Sequence, residues 1–177
     1  MDPVFDLTLR TGLALLFLSA AFHKLRAPAH FRASLAEYRL LPARALPAGA
    51  AALPIVELAT SVALLAPPLR IVAPIAALLL LALYSAAIAW NLGRGRREID
   101  CGCSGPGRRQ SLGPGLLVRN AALAGAALLC LVSPSPRPLI WVDAASVLGG
   151  TLVLAAVYDA ANRMLASAPA LARLRVS

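Results

Sequence analysis

Apolar residues fall in five long runs separated by polar or Pro-rich connections: Val4 to Phe22, Leu46 to Ala66, Ile71 to Asn91, Leu116 to Val132 and Leu139 to Tyr158. Each fits the window of about 17 to 25 residues that a helix rising about 1.5 Å per residue needs to cross a hydrocarbon core of about 30 Å. The stretch Ile75 to Leu83 shows no period-2 alternation, which argues against a membrane β-barrel. The pattern predicts an all-α polytopic membrane bundle of about five transmembrane helices. Pro67 and Pro68, and later Ser133 to Pro138, mark tight connections. In the longer connection after the first run, Phe31, Leu35 and Tyr38 share one helical face, predicting a short helix lying at the interface. Met1-Asp2-Pro3 lacks a positive start and Arg10 interrupts the apolar run behind it, so no cleavable signal peptide is expected.

Composition agrees with this pattern. Hydrophobic residues make up 59% and charged residues 14% of 177, against about 25% charged in soluble domains, which leaves too little charge to coat a globule. The whole chain, 1–177, reads as a single integral membrane domain. A net charge of +9 would suit a nucleic-acid binder, but here the cations sort by loop. Fourteen of the 17 Lys and Arg lie in the two long connections, their flanks and the C-terminal tail, while Arg10, Arg70 and Arg137 lie on the other side. The bias predicts an N-terminus outside and a C-terminus in the cytoplasm, with no nucleic-acid partner.

Candidate chemistry concentrates in the second long connection. Asn91-Leu92-Gly93-Arg94-Gly95 leads to Asp100-Cys101-Gly102-Cys103-Ser104-Gly105, where two of three cysteines flank one glycine. A disulfide needs Cα atoms about 4.4 to 6.8 Å apart, which positions i and i+2 reach only through a sharp bend that glycine tolerates. Such a ring is strained, and strained disulfides are the labile or catalytic ones. Arginines in the loop favour the reactive thiolate, while Glu98 and Asp100 oppose it. Two idle surface thiols are the plainer reading. Zinc is the other rival, but a closed site needs four ligands and only His23 and His30 could supplement the pair, so no metal is assigned. Cys130 lies about 21 Å along the fourth run, which makes it a small buried hydrophobe.

Glu57 is the second signal. A carboxyl near the middle of a span costs at least about 2.5 kcal/mol on insertion scales, which makes it a functional candidate by default. It lies about 14 Å from the outer end of its span and Arg10 about 9 Å below the outer end of the first, so an arginine side chain can bridge the gap. Two readings stand: a Glu57–Arg10 pair that locks two helices, or a proton acceptor. Thr60 and Ser61 are available to satisfy backbone groups freed by Pro54. His23, Lys24, Asn91, Arg119 and Asn120 gather at the cytoplasmic ends of the spans, as a polar floor beneath the cysteines or as ordinary capping. Lys24 by itself reads as snorkelling to the interface. Gly149-Gly150 reads as close helix packing.

These segments together resemble the methylamine-utilisation MauE family within the wider DoxX-like group. The resemblance rests on Phe22-His23-Lys24-Leu25, Phe31 through Pro42, Leu53-Pro54-Ile55-Val56-Glu57, the glycine-rich run ending in Cys101-Gly102-Cys103, and Arg119-Asn120. It covers about residues 4–132 and implies a DoxX-like four-helix core, with a further C-terminal span at about 139–158. It also implies a bacterial inner-membrane protein that supports maturation of an exported, disulfide-rich client such as the methylamine dehydrogenase small subunit, beside a thioredoxin-like partner. By position it makes Cys101 and Cys103 the redox pair, and Glu57, Lys24, Arg94, Arg119 and Asn120 family positions. Ser104 stands where an aromatic is expected.

The resulting expectation is thiol–disulfide exchange through Cys101 and Cys103, with Glu57 as a proton acceptor and Arg10, Lys24, Asn91, Arg94, Asp100, Arg119 and Asn120 in support. The cation count puts the cysteines inside while the implied client is exported. Reducing equivalents would then cross the bilayer or pass to a membrane quinone. The rivals are a non-enzymatic accessory that docks a thioredoxin-like protein, and a small transporter using the Glu57–Arg10 region.

Overall fold

The computed structural model describes residues 1–96, 99 and 112–174, the last seven as backbone only. Among these, six α-helices and no strand form: α1 (Pro3–Arg26), α2 (Pro28–Glu37), α3 (Leu46–Leu65), α4 (Val72–Gly93), α5 (Pro114–Leu129) and α6 (Trp141–Leu174). Proline opens α1, α2 and α5, where its missing N–H costs nothing. Asp2 caps α1 by accepting from the Val4 amide at 2.7 Å. The Val4 amide and the Arg137 guanidinium hold the Asp2 carboxyl below its ordinary pKa.

Four helical stretches, Pro3–Arg26, Ala43–Leu65, Val72–Gly93 and Trp141–Ser167, are long and apolar enough to cross a membrane. The fifth, α5, has 16 residues and spans about 24 Å. It stops short of the expected Val132 because the amides of Leu131 and Val132 turn back onto Leu128 and Leu129, each at 3.0 Å. Pro134 then bars further helix. By contrast, α6 runs past Tyr158 to Leu174. Hydropathy ends a span there, but Ala, Met and Leu continue the helix.

The first helix is central. It packs on α3, α5 and α6, while α3 meets α4 and α4 meets α5. Thus α1, α3, α4 and α5 close a four-helix ring and α6 lies outside it. The ring's main core joins Leu13, Ala14 and Phe17 to Leu64, Ala73, Ala77, Leu80, Leu81 and Ala127. Alanines interleave with leucines there because, with lipid as apolar as leucine, helices gain by close van der Waals approach. Polarity is inverted relative to a soluble fold. Arg10, Lys24, Glu57 and Asn120 are buried, whereas Ile71, Leu79 and Val118 are 64–70% exposed. That inversion is stable only in a bilayer, and the chain is a multi-pass membrane protein.

The short helix expected near Phe31 is α2, which packs on α3 and buries Phe31 and Ser34. At the end of α4 the amide of Gly95 bonds the Leu92 carbonyl (2.9 Å) and that of Arg96 the Asn91 carbonyl (3.0 Å). With Gly95 at φ 74°, this is a Schellman motif, and only glycine adopts that conformation without strain. It turns the chain from α4 into the segment that leads to the cysteines.

Of the two glycines in α6, only one is a contact. A Cβ on Gly150 would lie 2.9 Å from Thr8 Cγ2, while at Gly149 nothing stands within 4 Å. Thr8 cannot swing away cheaply, since its hydroxyl donates to the Val4 carbonyl at 2.7 Å. Gly150→Leu is therefore expected to loosen α6 from α1 by about 1–3 kcal/mol and Gly149→Leu to be near neutral. Thermal denaturation of the two variants in detergent measures this, and equal losses would contradict it.

Candidate functional site

Three helices converge on one carboxylate. Glu57 of α3 is fully buried, and its Oε1 accepts from Lys24 Nζ of α1 and from the Tyr84 hydroxyl of α4, the latter at 2.6 Å. Lys24 is 3% exposed, with Nζ 3.4 Å from the Tyr84 oxygen and 5.0 and 5.3 Å from the ring centroids of Tyr84 and Phe31. An ammonium held between two aromatic faces and a carboxylate is well compensated for its lost water.

Two sequence expectations fail at this point. Lys24 does not snorkel outward, and Glu57 does not pair with Arg10. The reason is register. Ser61 donates to the Ala14 carbonyl at 2.8 Å, which aligns antiparallel α1 and α3. Counting four residues along each from that contact sets Glu57 level with residue 18, so Lys24 lies about 9 Å further towards its own helix end. Its long side chain therefore climbs inward to the carboxylate. Arg10, on the far side of Ala14, is already engaged. Its Nε lies 2.9 Å from both oxygens of Asp6, one helical turn earlier, and its NH2 donates to the carbonyls of Arg70 (3.0 Å) and Cys130 (2.6 Å). Thr60 and Ser61 likewise bond Val56 and Ala14 rather than a carbonyl freed at Pro54.

The polar floor forms in part. Asn120 donates to the Ser85 hydroxyl at 3.3 Å, one residue beyond Tyr84. Arg119 donates to Asn120 at 3.2 Å and to Asn162 of α6 at 2.8 Å, with Tyr158 beneath its guanidinium. Asn91 is buried further towards the end of α4, where its amide donates to the Ala87 carbonyl and its oxygen accepts from Arg96. Arg94 lies over the exposed ring of Trp90, apart from the cluster. Cys130 is buried at the opposite end of the bundle, near Arg10.

Two cavities flank the Glu57 cluster. One of 560 Å³ is lined by His23, Glu57, Tyr84, Arg119, Asn120, Tyr158 and Asn162 among others. The second, of 350 Å³, is lined by Lys24, Phe31, Tyr38, Tyr84, Ile88, Arg119 and Asn120 among others. Tyr84, Arg119 and Asn120 border both. Tyr84 and Asp6 were missed as site residues. Tyr84 breaks an otherwise aliphatic stretch with a hydroxyl, and Asp6 stands at i,i+4 spacing before Arg10; both signals were present.

Asp100, Cys101 and Cys103 lie outside the described residues. The positions that bracket them do not: Ile99 and Leu112 are 7% and 3% exposed and belong to one apolar cluster with Tyr38, Ile88 and Leu116. Among the described residues, no group of three or more His, Cys, Asp or Glu is placed to hold a metal.

Comparison with known proteins points in one direction. The family model described as methylamine utilisation protein MauE matches residues 2–133. The methylamine utilization protein MauE of Methylophilus methylotrophus is 37% identical over 166 residues, covering 93% of this chain and 87% of that protein. Its counterpart in Paracoccus versutus is 38% identical over 170 residues (96% and 91%), and that of Paracoccus denitrificans 41% over 128 (72% and 69%). No solved structure matches.

Proposed function

The chain belongs to the methylamine utilisation MauE family, and from that premise we propose that it is a bacterial inner-membrane component of thiol–disulfide exchange in methylamine metabolism. Cys101 and Cys103 are the exchanging pair. The client is an exported protein with disulfides, such as the methylamine dehydrogenase small subunit, and a thioredoxin-like protein is the soluble partner.

One structural observation supports this reading. Ile99 and Leu112, which bracket the cysteine motif in sequence, are buried in the same cluster. Two such anchors tie the sequence flanks of the motif to a rigid body, which favours exchange with a folded partner. In the forward step a client thiolate attacks one sulfur of the Cys101–Cys103 disulfide and the other sulfur leaves as thiolate. A second client thiolate resolves the mixed disulfide. The client gains a disulfide, the pair becomes a dithiol, and two electrons and two protons must then be withdrawn from it.

The test starts from Cys130→Ala, which leaves only the pair. A membrane-impermeant maleimide is applied to intact cells and to inverted vesicles, with and without prior reduction. Labelling that requires reduction is expected, and the vesicle orientation that labels reports which face carries the pair. Direct attack by an exported client requires labelling in intact cells, whereas the cation distribution predicts an external N-terminus and a cytoplasmic pair; labelling confined to inverted vesicles would rule out direct exchange with the exported client. Cys101→Ser with Cys103→Ser is expected to abolish client disulfides. Equal labelling before reduction, with client disulfides intact in the double variant, would falsify the proposal.

A further inference from the structure

Glu57 has one oxygen that the fold does not use. Lys24 and Tyr84 both bind Oε1, while Oε2 is sealed from solvent and has no hydrogen-bond partner among the described residues. Glu57 lines the 560 Å³ cavity and is absent from the walls of the smaller one; with no accessible surface of its own, its second oxygen is reached from that cavity by a turn of the side chain. A buried acceptor left unpaired is costly, which makes a donor at that position favourable.

The cavity is divided by depth. At one end stand Glu57, Tyr84, Arg119, Asn120 and Asn162; at the other Leu9, Leu13, Ala126 and Leu154. From Asn162 to Leu154 alone, α6 rises about 12 Å, so a polar head and an apolar tail are accommodated along one axis. The volume falls within the range of about 300–1,000 Å³ typical of small-molecule sites. Two features restrict the ligand. Glu57 sits near the middle of a 20-residue span, beyond the depth at which a charged lipid head is stable, and its unpaired Oε2 calls for a hydrogen-bond donor, which an ionised phosphate lacks. An uncharged ring with oxygens at opposite edges satisfies both.

We propose that this cavity binds the head of a lipid-soluble quinone, with the quinol hydroxyl donating to Glu57 Oε2 and the opposite oxygen accepting from the Arg119–Asn120 side. In the wall between the two cavities, Tyr84, Arg119 and Asn120 place the head towards the end of the bundle where α4 finishes. The quinone's role as electron acceptor rests on the exchange reading above: dithiol and quinone give disulfide and quinol, with two electrons and two protons passing from the sulfurs to the ring oxygens. The binding site stands on the cavity alone.

The experiment uses the full chain in lipid nanodiscs, with a decyl-substituted benzoquinol as probe and decylbenzene as the control for the tail, read by titration calorimetry. Saturable binding of the quinol, unchanged in Cys101→Ser with Cys103→Ser, is expected. Glu57→Gln should weaken it about tenfold or more, the loss expected for a hydrogen bond to a buried charged group. Because Glu57→Gln also disturbs Lys24, Leu123→Trp serves as an independent variant that fills the cavity while leaving the ion pair intact. It should remove saturable binding. Uptake that does not saturate, decylbenzene binding as tight as quinol, or full binding in folded Leu123→Trp would each overturn the proposal. Quinol binding in a protein whose cysteines prove dispensable removes the exchange reading and leaves the site. Functional cysteines without quinol binding remove only the site.

Discussion

Lys24→Met is expected to destabilise the bundle by about 3–5 kcal/mol, because it leaves the Glu57 carboxylate buried without its cation. The partners are 2% and 0% exposed at their side chains, so water cannot replace the ammonium. Only the Tyr84 hydroxyl would remain on Oε1. Replacing both charges by apolar groups, Lys24→Met with Glu57→Leu, should recover most of the loss, since a well-packed apolar pair often equals a buried ion pair in stability. Denaturation of the four proteins in one detergent closes the cycle. A coupling below about 0.5 kcal/mol would show that the two residues act independently and would contradict the geometry. The double variant also separates two roles. A cluster that only ties α1, α3 and α4 together predicts a folded and active double variant, whereas a cluster whose carboxylate binds a ligand predicts a folded and inactive one.

Arg10→Leu should cost more at the other end of the bundle, about 5–7 kcal/mol, and its rescue should differ. The guanidinium neutralises Asp6 and also binds the carbonyls of Arg70 and Cys130, tying α1 to the α3–α4 turn and to the end of α5. Losing it strands a buried carboxylate, at about 3–5 kcal/mol, and two carbonyls at about 1 kcal/mol each. Arg10→Leu with Asp6→Leu removes the stranded charge and leaves the carbonyls unserved, so recovery should be incomplete where the Lys24–Glu57 double recovers nearly fully. Arg10→Leu and Glu57→Gln should be additive within about 0.5 kcal/mol, since the two share no partner. Strong coupling between them would restore the pairing that the sequence suggested and the register denies.

That mistaken pairing shows where sequence reading runs short. The spans were legible because lipid demands an uninterrupted apolar length, and α1, α3 and α4 begin and end within a few residues of the expected positions. Glu57 was legible as an individual candidate because ionisable groups are rare in such runs, and Lys24 only as a family position. Their partnership was not. Apolar length fixes depth along each helix only to within a few residues, and a shift of that size exchanges one cation for another. The Asp6–Arg10 pair, by contrast, rests on an i,i+4 spacing that is a purely local signal. The division of the cavity into polar and apolar ends was beyond reach, since it draws residues from five helices.

Apolar length, proline and glycine punctuation, the family and the identity of every ionisable group were determined by the chain's order of residues, because each depends on neighbours within one helical run. Which cation meets Glu57, which of its oxygens stays open, and which glycine of α6 touches α1 were decided only when the helices packed. A sub-turn shift between antiparallel helices changes every such contact while leaving the hydropathy of each helix unaltered.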